Sequence, residues 1–107
     1  MKAVVLSATG GDPLEVEAAD DVMYEIIKSA VGGWIEIAPT PGAPFVMYVN
    51  EEGKIEGLPF NARADRLANR YRTWSDPLMG NAVLVGLPDD DGEDTPFTLF
   101  DFAGLMD

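Results

Sequence analysis

The spacing of apolar and polar positions along the chain predicts five strands and a sixth, shorter one. Short β-branched runs and strict apolar–polar alternation both indicate strands. We expect strands at residues 3–7 (AVVLS), 14–18 (LEVEA), 34–38 (WIEIA), 45–50 (FVMYVN) and 82–87 (AVLVGL), with the short one at 54–58 (KIEGL). The strand at 45–50 is apolar on both faces, which is typical of a central strand.

The alternating strands also predict which side chains face the core. In the second strand Leu14 and Val16 are expected to point inward, and in the third strand Ile35 and Ile37. The stretch NEEGK after the fourth strand predicts a tight turn, with Gly53 at the position that requires a positive φ.

Two segments have the spacing of a helix with one apolar face. The first is expected to begin at Asp20 or Asp21, either of which is a good N-cap, and to end at Gly32. Its apolar face comprises Met23, Ile26, Ile27 and Ala30. The second is expected to begin at Asn61 and to end near Trp74. Its apolar stripe comprises Ala64, Leu67, Ala68 and Tyr71.

These elements together predict the class of fold. Strands that are adjacent in sequence usually pair, and helices pack on the sheet that results. We expect an α+β domain with a single mixed or mostly antiparallel sheet of about five to six strands and two helices packed on it. Residues 1–88 are assigned to this domain, and residues 89–107 to an acidic loop followed by an aromatic tail.

Composition removes several classes of function. The 107 residues include 19 acidic and 7 basic side chains, for a net charge of −12. Phosphates require a basic face, so we expect no direct binding to nucleic acids or to membranes. The chain has no cysteine and no histidine, which excludes disulfides, the usual zinc sites and Ser–His or Cys–His nucleophiles. The lack of cysteine and of membrane-length apolar runs fits a cytoplasmic protein.

No motif indicates an enzyme, a cofactor or a metal site. The glycines lack the spacing of a P-loop or of a dinucleotide site. The acidic loop Asp89–Asp94 resembles part of a calcium-binding EF-hand loop. With Gly92 at the sixth position, however, Leu87 and Thr98 would occupy the first and twelfth, and neither supplies a carboxylate. We therefore expect a protein without enzymatic activity, cofactor or metal.

Four of the seven basic residues lie within ten positions, at Arg63, Arg66, Arg70 and Arg72. The first three share one face of the second predicted helix, so they form a candidate site for a phosphate or for a partner's carboxylates. The alternatives are a solvated helix face and pairing with the protein's own acids. Residues 61–74 carry four Arg and one Asp, a net +3, which leaves −15 on the rest of the chain. We predict that these arginines face acidic surface of the same assembly.

The C-terminal tail contains many apolar side chains for a chain end: Phe97, Leu99, Phe100, Phe102, Leu105 and Met106. Chain ends fray unless they are bound to something. The tail is therefore expected to pack either on its own domain or on another chain. Phe97, Phe100 and Phe102 are the candidate interface residues.

Three stretches carry a resemblance to a known family: Gly32–Glu36 (GGWIE), Val49–Asn61 (VNEEGKIEGLPFN) and Gly80–Gly86 (GNAVLVG). They are similar to a family of short domains carried by bacteriophages, notably actinobacteriophages, and by their hosts, domain of unknown function 3846. The match covers roughly residues 1–88, and the tail lies outside it. The resemblance implies a phage-type accessory protein in the bacterial cytoplasm. It implies no catalytic residues, since the family has no assigned activity.

The second of these stretches also contains a candidate anion site. It brings Asn50, Glu51, Asn61 and Arg63 close in sequence, around one turn and one helix start, and a helix N-terminus beside an arginine is suited to an anion. Turn and cap roles explain the asparagines equally well.

Three hypotheses for the function follow. The first is a non-enzymatic phage accessory protein that binds a host protein in the cytoplasm of the bacterial host cell. The second is an acidic nucleic-acid mimic that acts in counter-defence, for which a net charge of −12 is suitable. The third is a small-molecule binding protein, for instance one that binds a nucleotide. Self-association into a homo-oligomer remains open.

Overall fold

The computed structural model describes residues 1–106 and has five strands and three helices in this part of the chain. In chain order the elements are β1 (Lys2–Leu6), β2 (Leu14–Glu17), α1 (Asp20–Val31), β3 (Ile35–Ala38), β4 (Val46–Asn50), α2 (Ala62–Ala68), β5 (Ala82–Val85) and α3 (Leu99–Met106). The strands form one sheet in the order β2-β1-β5-β4-β3, with every neighbouring pair antiparallel. The predicted α+β class is confirmed, with three helices in place of the expected two.

Strand β5 lies at the centre of the sheet and joins two hairpins, β1–β2 and β3–β4. All four of its side chains are fully buried. Ala82 and Leu84 belong to one core cluster, and Val83 and Val85 belong to the other. Because both faces of this strand must be covered, helices pack on both sides of the sheet.

Helix α1 covers one face of the sheet. Its buried residues Met23, Ile27 and Val31 pack in one cluster with side chains of β1 and β5. The helix does not begin as expected, because its N-cap is Ala19, which offers no side-chain hydrogen bond. Asp20 and Asp21 lie in its first turn, where a carboxylate interacts favourably with the positive end of the helix dipole.

Helices α2 and α3 cover the opposite face. Leu67 of α2 and Phe102 of α3 pack in a second cluster with Leu6, Met47 and Leu84 of the sheet. Helix α2 ends at Ala68 instead of reaching Trp74, and it is only 7 residues long. The predicted apolar stripe continues past that end, since Tyr71 packs against the same cluster from the turn that follows.

The C-terminal tail belongs to this second cluster. Phe97 is 4% exposed and Phe102 is 8% exposed. Phe97 lies 6.0 Å from the ring of Phe45 in an edge-to-face contact, and its N–H donates to the carbonyl of Lys2. Two of the three aromatic side chains considered as an interface are therefore part of the protein's own core, and Phe100, at 86% exposure, is the one that remains on the surface.

The two edge strands expose side chains that alternation predicted to be inside. Leu14 of β2 is 61% exposed and Ile37 of β3 is 57% exposed. Ile35 packs in the cluster formed with α1, but Ile37, two residues further along the same face, lies outside that cluster. Alternation identifies the face of a strand correctly here, yet it does not determine how much of that face one helix covers.

The segment between β4 and α2 differs from the predicted hairpin. Residues 51–57 form consecutive turns, and no strand follows at 54–58. Gly53 does not have a positive φ, whereas Gly57 does, at 69°. Glycine is needed at 53 for a different reason: a Cβ there would lie 2.7 Å from the carbonyl oxygen of Met79.

Asn61 confirms the predicted N-cap of α2 and contributes more than a cap. Its side chain is fully buried, and its Oδ1 accepts a hydrogen bond from the N–H of Ala64 at 3.0 Å. Its Nδ2 donates to the carbonyls of Leu6 and Gly80 at 3.0 and 2.9 Å. One side chain thus joins α2, β1 and the approach to β5.

We expect Asn61→Ala to lower the free energy of unfolding by about 2–3 kcal/mol, because a cap is lost and two buried carbonyls lose a donor. Asp21→Ala is the matched control. It removes one of the two predicted caps of α1, which forms no capping bond in the structure, and should lower stability by less than about 1 kcal/mol through the helix dipole. Urea unfolding followed by circular dichroism measures both. Equal losses in the two variants would contradict the role given to Asn61.

Candidate functional site

The asparagines of the candidate anion site are occupied by contacts within the protein. Asn50 is buried, its Nδ2 donates to the carbonyl of Val31 at 3.1 Å, and its Oδ1 accepts from the N–H of Glu52 at 2.7 Å. Asn61 is committed in the same way to three backbone groups. Both residues therefore support turns and the helix start, and the side-chain groups that would face an anion are already paired.

The arginines expected on one helix face lie in different environments. Arg63 Nη1 donates to the carbonyl of Gly11 at 2.8 Å. Arg70 follows the end of α2, and its Nη1 donates to the carbonyl of Leu105 near the end of α3 at 2.7 Å. Arg66 is exposed and forms no hydrogen bond or ion pair with residues 1–106. The shared face was predicted from a longer helix than the one that forms.

Arg72 is the residue that the pattern did not single out. Its side chain is completely buried, and its Nη2 lies 3.1 Å from Oδ1 of Asp65 and 2.9 Å from the carbonyl of Asp76. Its Nε donates to Oδ1 of Asn69 at 2.8 Å. Of the four arginines, it alone pairs with a carboxylate among residues 1–106, and that carboxylate belongs to α2 and not to the acidic loop. These contacts fold the segment 69–79 back against α2.

The segment 69–79 contributes to two depressions that flank edge strand β3. The first, here called the acidic cleft, has a volume of about 270 Å³. Its charged lining comprises Glu36, Glu51, Glu52, Lys54 and Asp76. Lys54 is paired with Asp76. Four carboxylates against one ammonium give this cleft a net charge of −3.

The second depression, here called the apolar groove, is open and has a volume of about 410 Å³. Its apolar lining includes Ile37, Phe45, Val46, Trp74 and Leu87, together with Pro39 and Pro41. Ile37, Trp74 and Leu87 are 57%, 45% and 51% exposed. Large apolar side chains that are exposed next to one another mark an interaction surface more often than isolated ones do. Alternation placed Ile37 inside the core, so the sequence pattern did not indicate the apolar groove.

The acidic loop after β5 is bound to the sheet at one point. The hydroxyl of Tyr48 donates to the carboxylate of Asp94 at 2.8 Å, and the carboxylate of Asp89 accepts from two N–H groups of the loop itself. Burial raises the pKa of Tyr48 well above its usual value, and the hydrogen bond and the charge of Asp94 raise it further. Within residues 1–106, no three acidic side chains are grouped so that they would hold a metal ion.

Comparison with known proteins gives one family. The family described as "Domain of unknown function (DUF3846)" matches residues 1–104 and so extends over the aromatic tail as well as the three stretches noted in the sequence. No curated protein and no solved structure matches the chain. None of the helices formed by residues 1–106 is long and apolar enough to cross a membrane.

We expect Arg70→Ala to loosen α3, because the variant removes a charged donor from the carbonyl of Leu105. Hydrogen exchange of the α3 amides should become about five-fold faster, which corresponds to about 1 kcal/mol. Arg66→Ala removes the same charge from a side chain that has no partner among residues 1–106, and it is the matched control. Unchanged exchange in Arg70→Ala, or equal acceleration in both variants at low salt, would show that the contact contributes nothing.

We expect the stability difference between the wild type and Tyr48→Phe to depend on pH. The raised pKa means that the folded state keeps the phenol proton more tightly than the unfolded state does. The stability contributed by this group is therefore fully present below the unfolded pKa of about 10 and is lost as the pH rises above it. At pH 7 the wild type should be more stable by about 1 kcal/mol.

Urea unfolding at pH 7 and pH 11 measures this difference. The difference in the free energy of unfolding between the wild type and Tyr48→Phe should be smaller at pH 11, because only the wild type has a phenol at this site to ionise on unfolding. Tyr24→Phe, at an exposed tyrosine, is the control and should match the wild type at both values. A wild-type advantage over Tyr48→Phe that is as large at pH 11 as at pH 7 would be inconsistent with the assignment.

Proposed function

Given that the chain belongs to the family "Domain of unknown function (DUF3846)", we propose that it is a non-enzymatic accessory protein that binds another protein. The observation that carries this proposal is the apolar groove. Ile37, Trp74 and Leu87 leave large apolar surfaces exposed in one place, beside a strand with a free edge. Aromatic and aliphatic side chains clustered in this way commonly supply most of the binding energy at a protein interface.

The electrostatics favour a protein partner over a ligand with phosphates. A net charge of −12 repels nucleic acids and other anions. The nucleotide-binding hypothesis requires Arg63 or Arg66 to point into a pocket. Arg63 donates to the carbonyl of Gly11, Arg66 is exposed, and neither lines the acidic cleft or the apolar groove. The same negative charge would attract a basic protein.

The setting of this function follows from the resemblance to phage-borne domains. We expect the partner to be a host protein, and the interaction to take place in the cytoplasm of the bacterial host. In this proposal the aromatic tail contributes to the domain's own core, because Phe97 and Phe102 are buried there. The contact surface lies instead at the β3 end of the sheet.

Quantitative capture from lysate of a bacterial host tests the proposal. We expect the double variant Ile37→Ala with Trp74→Ala to retain at least about ten-fold less of any captured protein than the wild type does, since loss of two such contacts removes more than about 1.4 kcal/mol. The control is Leu14→Ala with Phe100→Ala, which removes two apolar side chains elsewhere that are at least as exposed. Thermal unfolding confirms that each variant is folded.

Two outcomes would overturn the assignment of the groove. One is equal capture by the wild type and the Ile37/Trp74 variant. The other is loss of capture in the Leu14/Phe100 variant alone, which would move the contact surface to β2 or to the exposed side of the tail helix.

A further inference from the structure

We propose that the free edge of β3 accepts an extended, basic segment of the partner protein as an added strand. This inference rests on the proposed function and specifies how the partner binds and what its chemistry is. Addition of a strand to a sheet edge derives affinity from main-chain hydrogen bonds and specificity from alternate side chains.

The hydrogen-bond pattern shows which groups of β3 are available. The N–H of Glu51 donates to the carbonyl of Trp34 at 2.9 Å, and the register pairs Ile35 with Asn50. In an antiparallel ladder, residues of an edge strand bond the neighbouring strand alternately. Glu36 and Ala38 therefore bond β4, whereas Ile35 and Ile37 direct their N–H and C=O groups away from the sheet.

The outward backbone groups of this edge have no hydrogen-bond partner in the described part of the chain. No loop or helix of residues 1–106 forms a hydrogen bond with the backbone of Ile35 or Ile37. The opposite edge, β2, is less free: the carboxylate of Glu15 accepts from the N–H of Leu99, and Lys2 lies within ion-pair distance of Glu15 and Glu17. A row of unpaired backbone groups such as that of β3 is a ready template for another strand.

The surroundings of β3 match an added strand of alternating side chains. Ile37 lies on the face of the sheet that carries α1, while Glu36 lies on the opposite face and lines the acidic cleft. Successive side chains of a strand placed along β3 would face these two sides in turn. Apolar side chains would lie beside Ile37, and basic side chains would lie beside Glu36 and the carboxylates of the cleft.

Charge selects a basic segment over a second copy of the chain. The acidic cleft has four carboxylates and one ammonium that is already paired, and the whole chain carries −12. Two copies placed edge to edge would bring two such clefts together, at an electrostatic cost. A segment with lysine or arginine at alternate positions meets the opposite charge.

Peptide binding followed by NMR tests the inference on the wild-type protein. The probe is acetyl-Val-Lys-Val-Lys-Val-Lys-Val-amide, and the control peptide has Glu in place of Lys. We expect the lysine peptide to bind at least about ten-fold more tightly than the control peptide at low salt. The difference in affinity between the two peptides should shrink at high salt. At saturation it should slow hydrogen exchange at the amides of Ile35 and Ile37 and leave Glu15 and Glu17 of β2 unchanged.

Two substitutions separate backbone from side-chain contacts. Ile37→Pro removes an N–H that points away from β4, so the ladder within the protein is retained, and proline is tolerated at such edge positions. We expect it to abolish peptide binding. Ile37→Ala keeps that N–H and should weaken binding by less. Should Ile37→Pro fail to fold, the exchange experiment on the wild type still decides the question.

The outcomes distinguish this inference from the proposed function. If the groove variants reduce capture from lysate but the lysine peptide has no advantage and Ile37 is not protected, strand addition is wrong and the proposed function stands. If Ile37 is protected without peptide in a concentration-dependent dimer, the occupant is a second copy and the inference is overturned. If the groove variants leave capture unchanged, the proposed function fails, and the inference falls with it.

Discussion

Burial of the central strand β5 on both faces is the constraint on which the rest of the structure depends. Its four side chains have no exposed surface, and Val83, Leu84 and Val85 each contribute about 1.5–3 kcal/mol when they are removed from water. Val83 and Val85 are covered with the help of α1, and Ala82 and Leu84 by the cluster that includes α2 and α3. A 7-residue helix is too short to cover one face alone, which explains why the chain end folds back to complete the second layer.

Because the strands and α2 are short, a few buried polar side chains determine much of how these elements are arranged. Asn61 joins α2 to β1 and to the segment before β5, and Arg72 binds the segment 69–79 to α2. These contacts are made out of water, so removal of either partner leaves a buried polar group unpaired. Because the segment 69–79 forms part of both the acidic cleft and the apolar groove, the surface chemistry near β3 depends on the buried guanidinium group of Arg72.

The part of the molecule that stabilises the fold differs from the candidate binding surface in how many of its backbone groups are hydrogen-bonded and how many of its apolar side chains are buried. The centre of the sheet has its hydrogen bonds and its apolar contacts within the chain. The β3 edge has backbone groups directed outward, an exposed isoleucine and two depressions alongside. Such an edge normally carries a risk of self-association, and a net charge of −12 opposes that risk while favouring a basic partner.

The sequence by itself determined five of the six predicted strands, the presence of the first helix, the cap at Asn61 and the α+β class, because periodicity and capping are local properties that the chain carries from residue to residue. Only the tertiary structure decided that α2 ends at Ala68, that Phe97 and Phe102 complete the core, and that Ile37 is exposed. It also decided the role of Arg72, whose partners Asp65 and Asp76 become neighbours only after the chain folds back. Each of these features depends on which elements pack against one another and on how much surface they bury. Both are set by the path of the whole chain.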